Sequence, residues 1–269
     1  MGKTVLLTFA DRKMRPTLKV IQKEAEASGF FDEIRVMDDK SFEKSYWKQY
    51  GLWYKSHPRG FGYWIWKPYF IRRELKRLDE GDILVYLDAG CVINGEARSR
   101  FNEYVSIAKR QGIVCFDHTR CFVKQYTKRD LLNYLAGGDN SIIEPLLEQR
   151  QLMAGLLVIS NQEVSHKLVN EWYDIMHNHP NLVDDSPSVI PNNPEFIEHR
   201  HDQSVFTILA YKYKVGILPQ KEVYQSPCDK TTMSEYPFWA ARRKIFAQTT
   251  LWQRIKRKIV NVINRLLKR

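Results

Sequence analysis

The chain has 269 residues, 43% of them apolar and 27% charged, with a formal net charge of +11. This length and composition exclude a disordered or low-complexity polypeptide and fit one large folded body, while no apolar stretch approaches the ~20 residues that span a bilayer. Cys91, Cys115, Cys121 and Cys228 contain no CxxC pair, so a reducing, cytoplasmic setting is expected rather than a disulfide framework.

In chain order, residues 4–10 read as a first strand that ends at Asp11, 16–27 as a helix stopped by Gly29, and 34–37 as a second strand. Strand, helix, strand predicts a βαβ unit and a parallel sheet. Residues 46–70 hold eleven aromatics, Trp64 and Trp66 among them, interrupted by Arg59-Gly60-Phe61-Gly62. Part of that set belongs to a core, and the rest suits a cleft wall that stacks on a flat ligand or a sugar ring. Trp66-Lys67-Pro68 opens a helix, with Pro tolerated in its first turn, and Lys67 there is the best-placed cation for an anionic ligand. The helix leads into residues 83–87, an apolar run too short for a helix and flanked by glycines, hence a strand buried on both faces. It delivers Asp88 into the turn Ala89-Gly90. Open α/β sheets bind ligands at the carboxyl ends of their strands, so Asp88 is a candidate site residue, with a simple turn cap as the other reading.

A helix over 101–109, a strand over 113–116 and a helix over 124–135 follow. Residues 151–155 read as a small-residue turn feeding a buried strand that ends near 160, with Gly155 allowing close approach of a ligand. A helix over 163–176 precedes a Pro/Asn-rich loop over 177–195, long enough for a lid. His199-Arg200-His201-Asp202-Gln203 then opens an apolar helix over 205–211, and 215–219 is a last short strand. His199, His201 and Asp202 also carry the donor types of a zinc hydrolase site.

The positive charge lies at the end of the chain. No Asp or Glu follows Glu235, whereas ten Lys or Arg residues do. Leu251, Trp252, Ile255, Ile259, Val262, Ile263, Leu266 and Leu267 recur there at helical spacing with the cations on the other face, which predicts a C-terminal amphipathic helix on an anionic membrane surface. A body over 1–225 and a separate basic tail over 226–269 are expected, with residues 242–269 meeting the membrane. Cutting after Pro237 is then expected to release the chain from anionic vesicles and spare ligand binding. A Leu/Ile-rich face is no base-stacking surface, so nucleic acid is not an expected partner.

Three segments carry a resemblance: 81–90 ending in Leu87-Asp88-Ala89-Gly90, 153–161 beginning Met153-Ala154-Gly155, and His201-Asp202-Gln203-Ser204-Val205-Phe206. Their order and spacing are similar to those of GT-A-fold glycosyltransferases, most of all the retaining, nucleotide-sugar-dependent kind that includes glycogenin and bacterial lipooligosaccharide galactosyltransferases. The look of 63–69 and 87–91 resembles enzymes encoded with bacterial O-antigen, lipopolysaccharide or capsule synthesis. The resemblance implies an α/β, GT-A-like (Rossmann-like) fold with a mostly parallel central sheet flanked by helices. It also implies transfer of a hexose from a nucleotide-sugar donor, a UDP-sugar by likeness, to a glycan or glycolipid acceptor at the inner face of the cell membrane. Asp202 and Gln203 match the catalytic acid-amide pair near the anomeric carbon. Asp88, Ala89, Gly90, Lys67, Asp11 and Arg59 fall to the donor, and Met153, Ala154, Gly155, Trp64, Trp66 and His201 to the sugar and acceptor pocket. In that family a strand-end Asp-X-Asp holds divalent Mn or Mg. Here Gly90 stands in place of the second Asp, which leaves Asp88 alone, and one carboxylate is a poor site for a hard cation. A non-catalytic, membrane-associated carbohydrate-binding protein is the other reading of the same motifs.

Overall fold

In the computed structural model, which describes residues 2–224 and 232–246, the short apolar runs of the first ninety residues become adjacent strands. Strand β1 (Thr4–Phe9) passes through helix α1 (Arg15–Ser28) to β2 (Glu33–Met37), which pairs with it in parallel. Helices α2 (Lys44–Ser56), the four-residue α3 (Gly60–Tyr63) and α4 (Trp66–Leu75) return the chain to β3 (Ile83–Leu87) on the opposite edge of β1. Leaving β1 on one side and returning on the other makes the β1/β3 junction a topological switch point, where an open sheet forms its ligand crevice.

The two-residue β4 (Val92–Ile93), α5 (Arg98–Gln111) and β5 (Ile113–Phe122) follow, then α6 (Val123–Tyr126), α7 (Arg129–Leu135) and α8 (Asn140–Leu147). After them come β6 (Arg150–Ser160), α9 (Glu163–Asn178), α10 (Asp202–Lys212), β7 (Gly216–Leu218) and β8 (Phe238–Trp239). The six-stranded sheet has the order β2-β1-β3-β6-β5-β7, and β6 alone runs against its neighbours. The expected α/β architecture, a mostly parallel central sheet flanked by helices, is therefore present. Alternation along the strands feeds two core layers. Val5, Leu7 and Tyr86 meet Phe70, Trp172 and Phe206 on one face, while Leu6, Val85 and Val158 meet Ile21, Phe101 and Tyr104 on the other. Among the described residues no helix is long and apolar enough to cross a membrane.

Three expectations need correction. Residues 151–155 are the first half of β6, not a turn, and pair with β5 at Leu152 and Met153. The helix expected over 124–135 breaks at Thr127 and Lys128, where the backbone is extended and the Lys128 N–H donates to His199 Nδ1 at 3.3 Å in place of an intrahelical carbonyl. The chain beyond 225 is not a separate appendage throughout: β8 pairs with β4, and Phe238 is fully buried against Phe30 and Phe101. The amphipathic helix expected over 251–267 lies outside the described residues.

The aromatic stretch contributes to the core through α2. There the Tyr46 hydroxyl lies 2.8 Å from Nε2 of His177, whose Nδ1 donates to the Tyr173 carbonyl, also at 2.8 Å. Burial pushes the His177 pKa down from 6.5 to about 4. The folded chain thus holds this imidazole neutral. Its contribution is complete above pH 6.5 and is lost as the pH falls towards 4, amounting to about 2 kcal/mol at pH 5. Urea unfolding at pH 7.5 and pH 5 should show a loss of that order in the wild type that His177→Gln largely removes. Equal losses in the two proteins would clear His177 of the effect.

Candidate active site

Strands β1 and β3 end side by side, and the residues that follow them open a cavity of about 520 Å³. Asp11 and Lys13 come from the turn after β1, and Asp88, Ala89 and Gly90 from the turn after β3. Antiparallel β6 brings Met153 and Gly155 to the same edge, and α10 adds Gln203. Phe61, Trp64 and Trp66 form an aromatic wall, and Ala240, Arg242, Lys244 and Phe246 close the mouth. Residues 90, 155 and 203, far apart in sequence, therefore share one hollow.

Contact between β3 and β6 explains Gly155. The Asp88 N–H donates to the Gly155 carbonyl at 2.8 Å, and a Cβ on residue 155 would lie 2.5 Å from Asp88 Oδ2. No larger residue fits without moving the carboxylate. The other oxygen, Oδ1, accepts the Tyr86 hydroxyl at 2.6 Å and lies 3.5 Å from Lys67 Nζ. Lys67 also donates to Asp202 Oδ2 at 2.6 Å. Burial opposes the charge on Lys67, but Asp202 and Asp88 outweigh it and raise its pKa. Burial also raises the pKa of Asp202, more than Lys67 lowers it. Lys67 and Asp202 are both buried and do not line the cavity: they form a charged floor beneath Asp88 and beside Gln203, not an open cation and an open acid.

The aromatic wall depends on an unusual turn. Gly60, Phe61, Gly62, Tyr63 and Trp64 all have φ between 51° and 79°. For the three non-glycine residues this left-handed conformation costs roughly 1–2 kcal/mol each, and packing has to hold it. Trp66 supplies part of that packing, stacked on Phe9 at 4.1 Å with its indole N–H donated to the Gly60 carbonyl at 3.1 Å. Trp64 lies against His201, with ring centroids 5.5 Å apart, and His201 Nδ1 donates to the Val183 carbonyl at 2.7 Å. His201 thus stands behind the wall, not in the cavity. Arg59 points to the loop before α10, pairing with Asp185 at 2.9 Å and Glu198 at 3.4 Å. Ala154 is buried in the sheet.

Three polar atoms of cavity-lining residues have no protein partner among the described residues: Gln203 Nε2, His118 Nδ1 and Arg243 Nε. Such buried orphans are uncommon, and these lie where a ligand can satisfy them. Burial lowers the His118 pKa, with Arg200 and Arg242 adding to the effect, so the ring is neutral at neutral pH. The sequence reading gave His118 no role at the site, and it assigned Arg242 and Lys244 to a membrane. No pattern in the sequence marks His118, which lies within β5, beyond the apolar run 113–116 that the sequence shows as a strand.

The residues around Asp88 do not suit a divalent cation. One carboxylate, with one oxygen already engaged by Tyr86 and facing the Lys67 ammonium, offers too few oxygens. The zinc reading also fails: Asp202 is engaged by Lys67, and His199 Nδ1 accepts the Lys128 N–H at 3.3 Å, which puts the ring proton on Nε2 and leaves that histidine no lone pair for a metal. Among the described residues no three His, Cys, Asp or Glu side chains are grouped to hold a metal.

No protein-family model matches the chain, and no curated protein does. Among solved structures the chain is similar to the galactosyltransferase LgtC in complex with donor and acceptor sugar analogues, at 14% identity and a TM-score of 0.44, covering 93% of this chain and 81% of that one. It is similar to mouse xyloside xylosyltransferase 1 at 11% identity and a TM-score of 0.42, covering 81% and 85%. Glucosyl-3-phosphoglycerate synthase from Mycobacterium tuberculosis, solved with Mn²⁺, UDP-glucose and glycerol 3-phosphate, has 13% identity and a TM-score of 0.36, with 80% and 81% covered.

Proposed function

We propose that the chain is a GT-A-like glycosyltransferase that moves a hexose from a nucleotide-sugar, of UDP type, to a glycan or glycolipid acceptor. One observation carries this reading. The turn after β3, the glycine of β6 and the amide of α10 meet in a single aromatic-walled cavity at the β1/β3 switch point. Aromatic faces suit sugar rings and a base, and Asp88, nearly half exposed, accepts from hydroxyl groups. In the reaction the bond from the anomeric carbon to the diphosphate breaks and a bond to the acceptor oxygen forms. The acceptor proton leaves on the departing diphosphate. Gln203, with its amide N–H unpaired, donates to an oxygen that gains charge as the bond breaks, and the Lys67–Asp202 pair holds the start of α10 in place. We further assign the tail beyond residue 246 to the inner face of the cell membrane, where lipid-linked surface glycans of the lipopolysaccharide, O-antigen or capsule kind are built.

The test is a thermal-shift screen of nucleotide sugars followed by measurement of nucleoside diphosphate release. At least one donor should raise the melting temperature and be turned over. Gln203→Leu, which removes an amide N–H without a protein partner, should fold normally and lose about a hundredfold in turnover. Sugar binding without nucleotide release would instead mark a carbohydrate-binding protein, and no response to any nucleotide sugar would end the proposal.

A further inference from the structure

The segment 237–246 lies across the turn after β3. The Arg243 N–H donates to the Gly90 carbonyl at 2.9 Å, and its guanidinium binds Glu24 of α1 at 2.5 and 2.8 Å and the Cys91 carbonyl. Two residues on, the Ile245 N–H donates to Thr17 Oγ1 at 3.0 Å, and the Thr17 hydroxyl donates to the Ile245 carbonyl at 3.1 Å. This strap occupies the space a side chain at residue 90 would need: a Cβ there would lie 2.8 Å from the Arg243 carbonyl oxygen. In the glycosyltransferases that the sequence resembles, this position carries the second carboxylate of the metal site. Here backbone replaces that carboxylate, and the same backbone delivers positive charge.

Arg243 is neutralised by Glu24, but its neighbours are not. Among the described residues no carboxylate pairs with Arg242 or Lys244, nor with Lys13 from the turn after β1, although all three line the cavity. Their placement is built. Asp11 Oδ1 accepts the N–H groups of both Lys13 and Met14 at 3.1 Å, fixing that turn. Arg242 sits at φ 53°, a strained conformation for a residue other than glycine, held by the anchored Arg243 that follows it. Three unpaired cations face a hollow whose own carboxylates, Asp11 and Asp88, are engaged by N–H groups, a hydroxyl and Lys67.

We infer that Lys13, Arg242 and Lys244 hold the donor's diphosphate in place of a divalent cation, so that donor binding is independent of metal. This rests on the nucleotide-sugar reading above and adds to it how the leaving group is neutralised. Cations placed in a partly enclosed site bind phosphoryl oxygens through charge-assisted hydrogen bonds and need no second carboxylate, which would repel the diphosphate. Arginine can grip two oxygens at once, and lysine acts as a point charge.

The full chain is titrated calorimetrically with UDP, GDP, CDP and dTDP, once in EDTA and once with excess MnCl₂. The best diphosphate should bind in EDTA within about threefold of its affinity with Mn²⁺, and Arg242→Gln and Lys244→Gln should each weaken binding by about tenfold or more. Both side chains are exposed, so the melting temperatures should not move. Tightening by Mn²⁺ of well over about tenfold, with the two variants silent, would overturn the inference and leave the glycosyltransferase reading intact. Failure of every diphosphate to bind in either buffer, while intact nucleotide sugars are turned over, would also overturn it. If nucleotide sugars are not turned over either, the functional reading goes with it.

Discussion

Lys67→Met will destabilise the fold by about 3–5 kcal/mol, because it leaves a buried carboxylate without its cation. Methionine matches the length of the lysine stem and suits the surroundings, so a cavity is not the cause. Lys67 is 4% exposed in its side chain and Asp202 is 7% exposed, and the two are 2.6 Å apart. The pH dependence of the difference from wild type identifies the mechanism. Burial raises the pKa of Asp202 even with the lysine in place, and removing the lysine raises it further. A carboxyl group with a raised folded-state pKa costs nothing while protonated in both states. Its penalty appears as the pH climbs through the unfolded value near 3.9 and grows until the folded-state pKa is passed. Urea unfolding should therefore show a large deficit for Lys67→Met at pH 7 and a much smaller one at pH 4. Adding Asp202→Leu should recover most of the deficit at pH 7, because replacing both partners removes the stranded charge. A deficit equal at the two pH values, and unrelieved in the double variant, would mean that the lysine acts through packing alone.

This pair shows where sequence reasoning reaches and where it stops. The strands at 4–10, 34–37 and 83–87 were legible because short apolar runs end at glycines or aspartates, and the rule that open sheets bind ligands at the carboxyl ends of their strands singled out Asp88. Asp88, Gly155 and Gln203 could be named from motif order. The burial of Lys67 could not, because its partner Asp202 lies 135 residues away and no local pattern records the pairing. For the same reason 151–155 read as a turn. Ala154 and Gly155 look like turn residues, yet Gly155 is small because Asp88 packs against it within a strand. Counting charges failed at the strap in a different way. Arg242, Arg243 and Lys244 are alike in a sum, but one is fastened to Glu24 and the others face the cavity. The short β8 is too brief to show any periodicity, so the burial of Phe238 left no trace either.

The second large effect concerns where the tail begins. Residues 242–269 read as one membrane-facing unit, and on that reading a cut after Pro237 spares donor binding. The structure leads to the opposite result. Such a cut removes Phe238, fully buried and edge-on to Phe30 and Phe101, and loss of a buried phenylalanine costs about 3–5 kcal/mol. It also removes the Arg243 anchor on Glu24 and the Ala240, Arg242, Lys244 and Phe246 side of the cavity. The chain cut after Pro237 should therefore melt at lower temperature and lose measurable binding of nucleoside diphosphate. A cut after Phe246 separates the two roles. It leaves every cavity-lining residue among those described and takes away Arg254, Lys256, Arg257, Lys258, Arg265, Lys268 and Arg269, each contributing about 1 kcal/mol near an anionic bilayer. That shorter protein should keep donor affinity and melting temperature while its co-sedimentation with anionic vesicles falls to background. Full donor affinity after the cut at Pro237 would show that the strap only borders the site, whereas vesicle binding that survives the cut at Phe246 would move the membrane contact into the folded body.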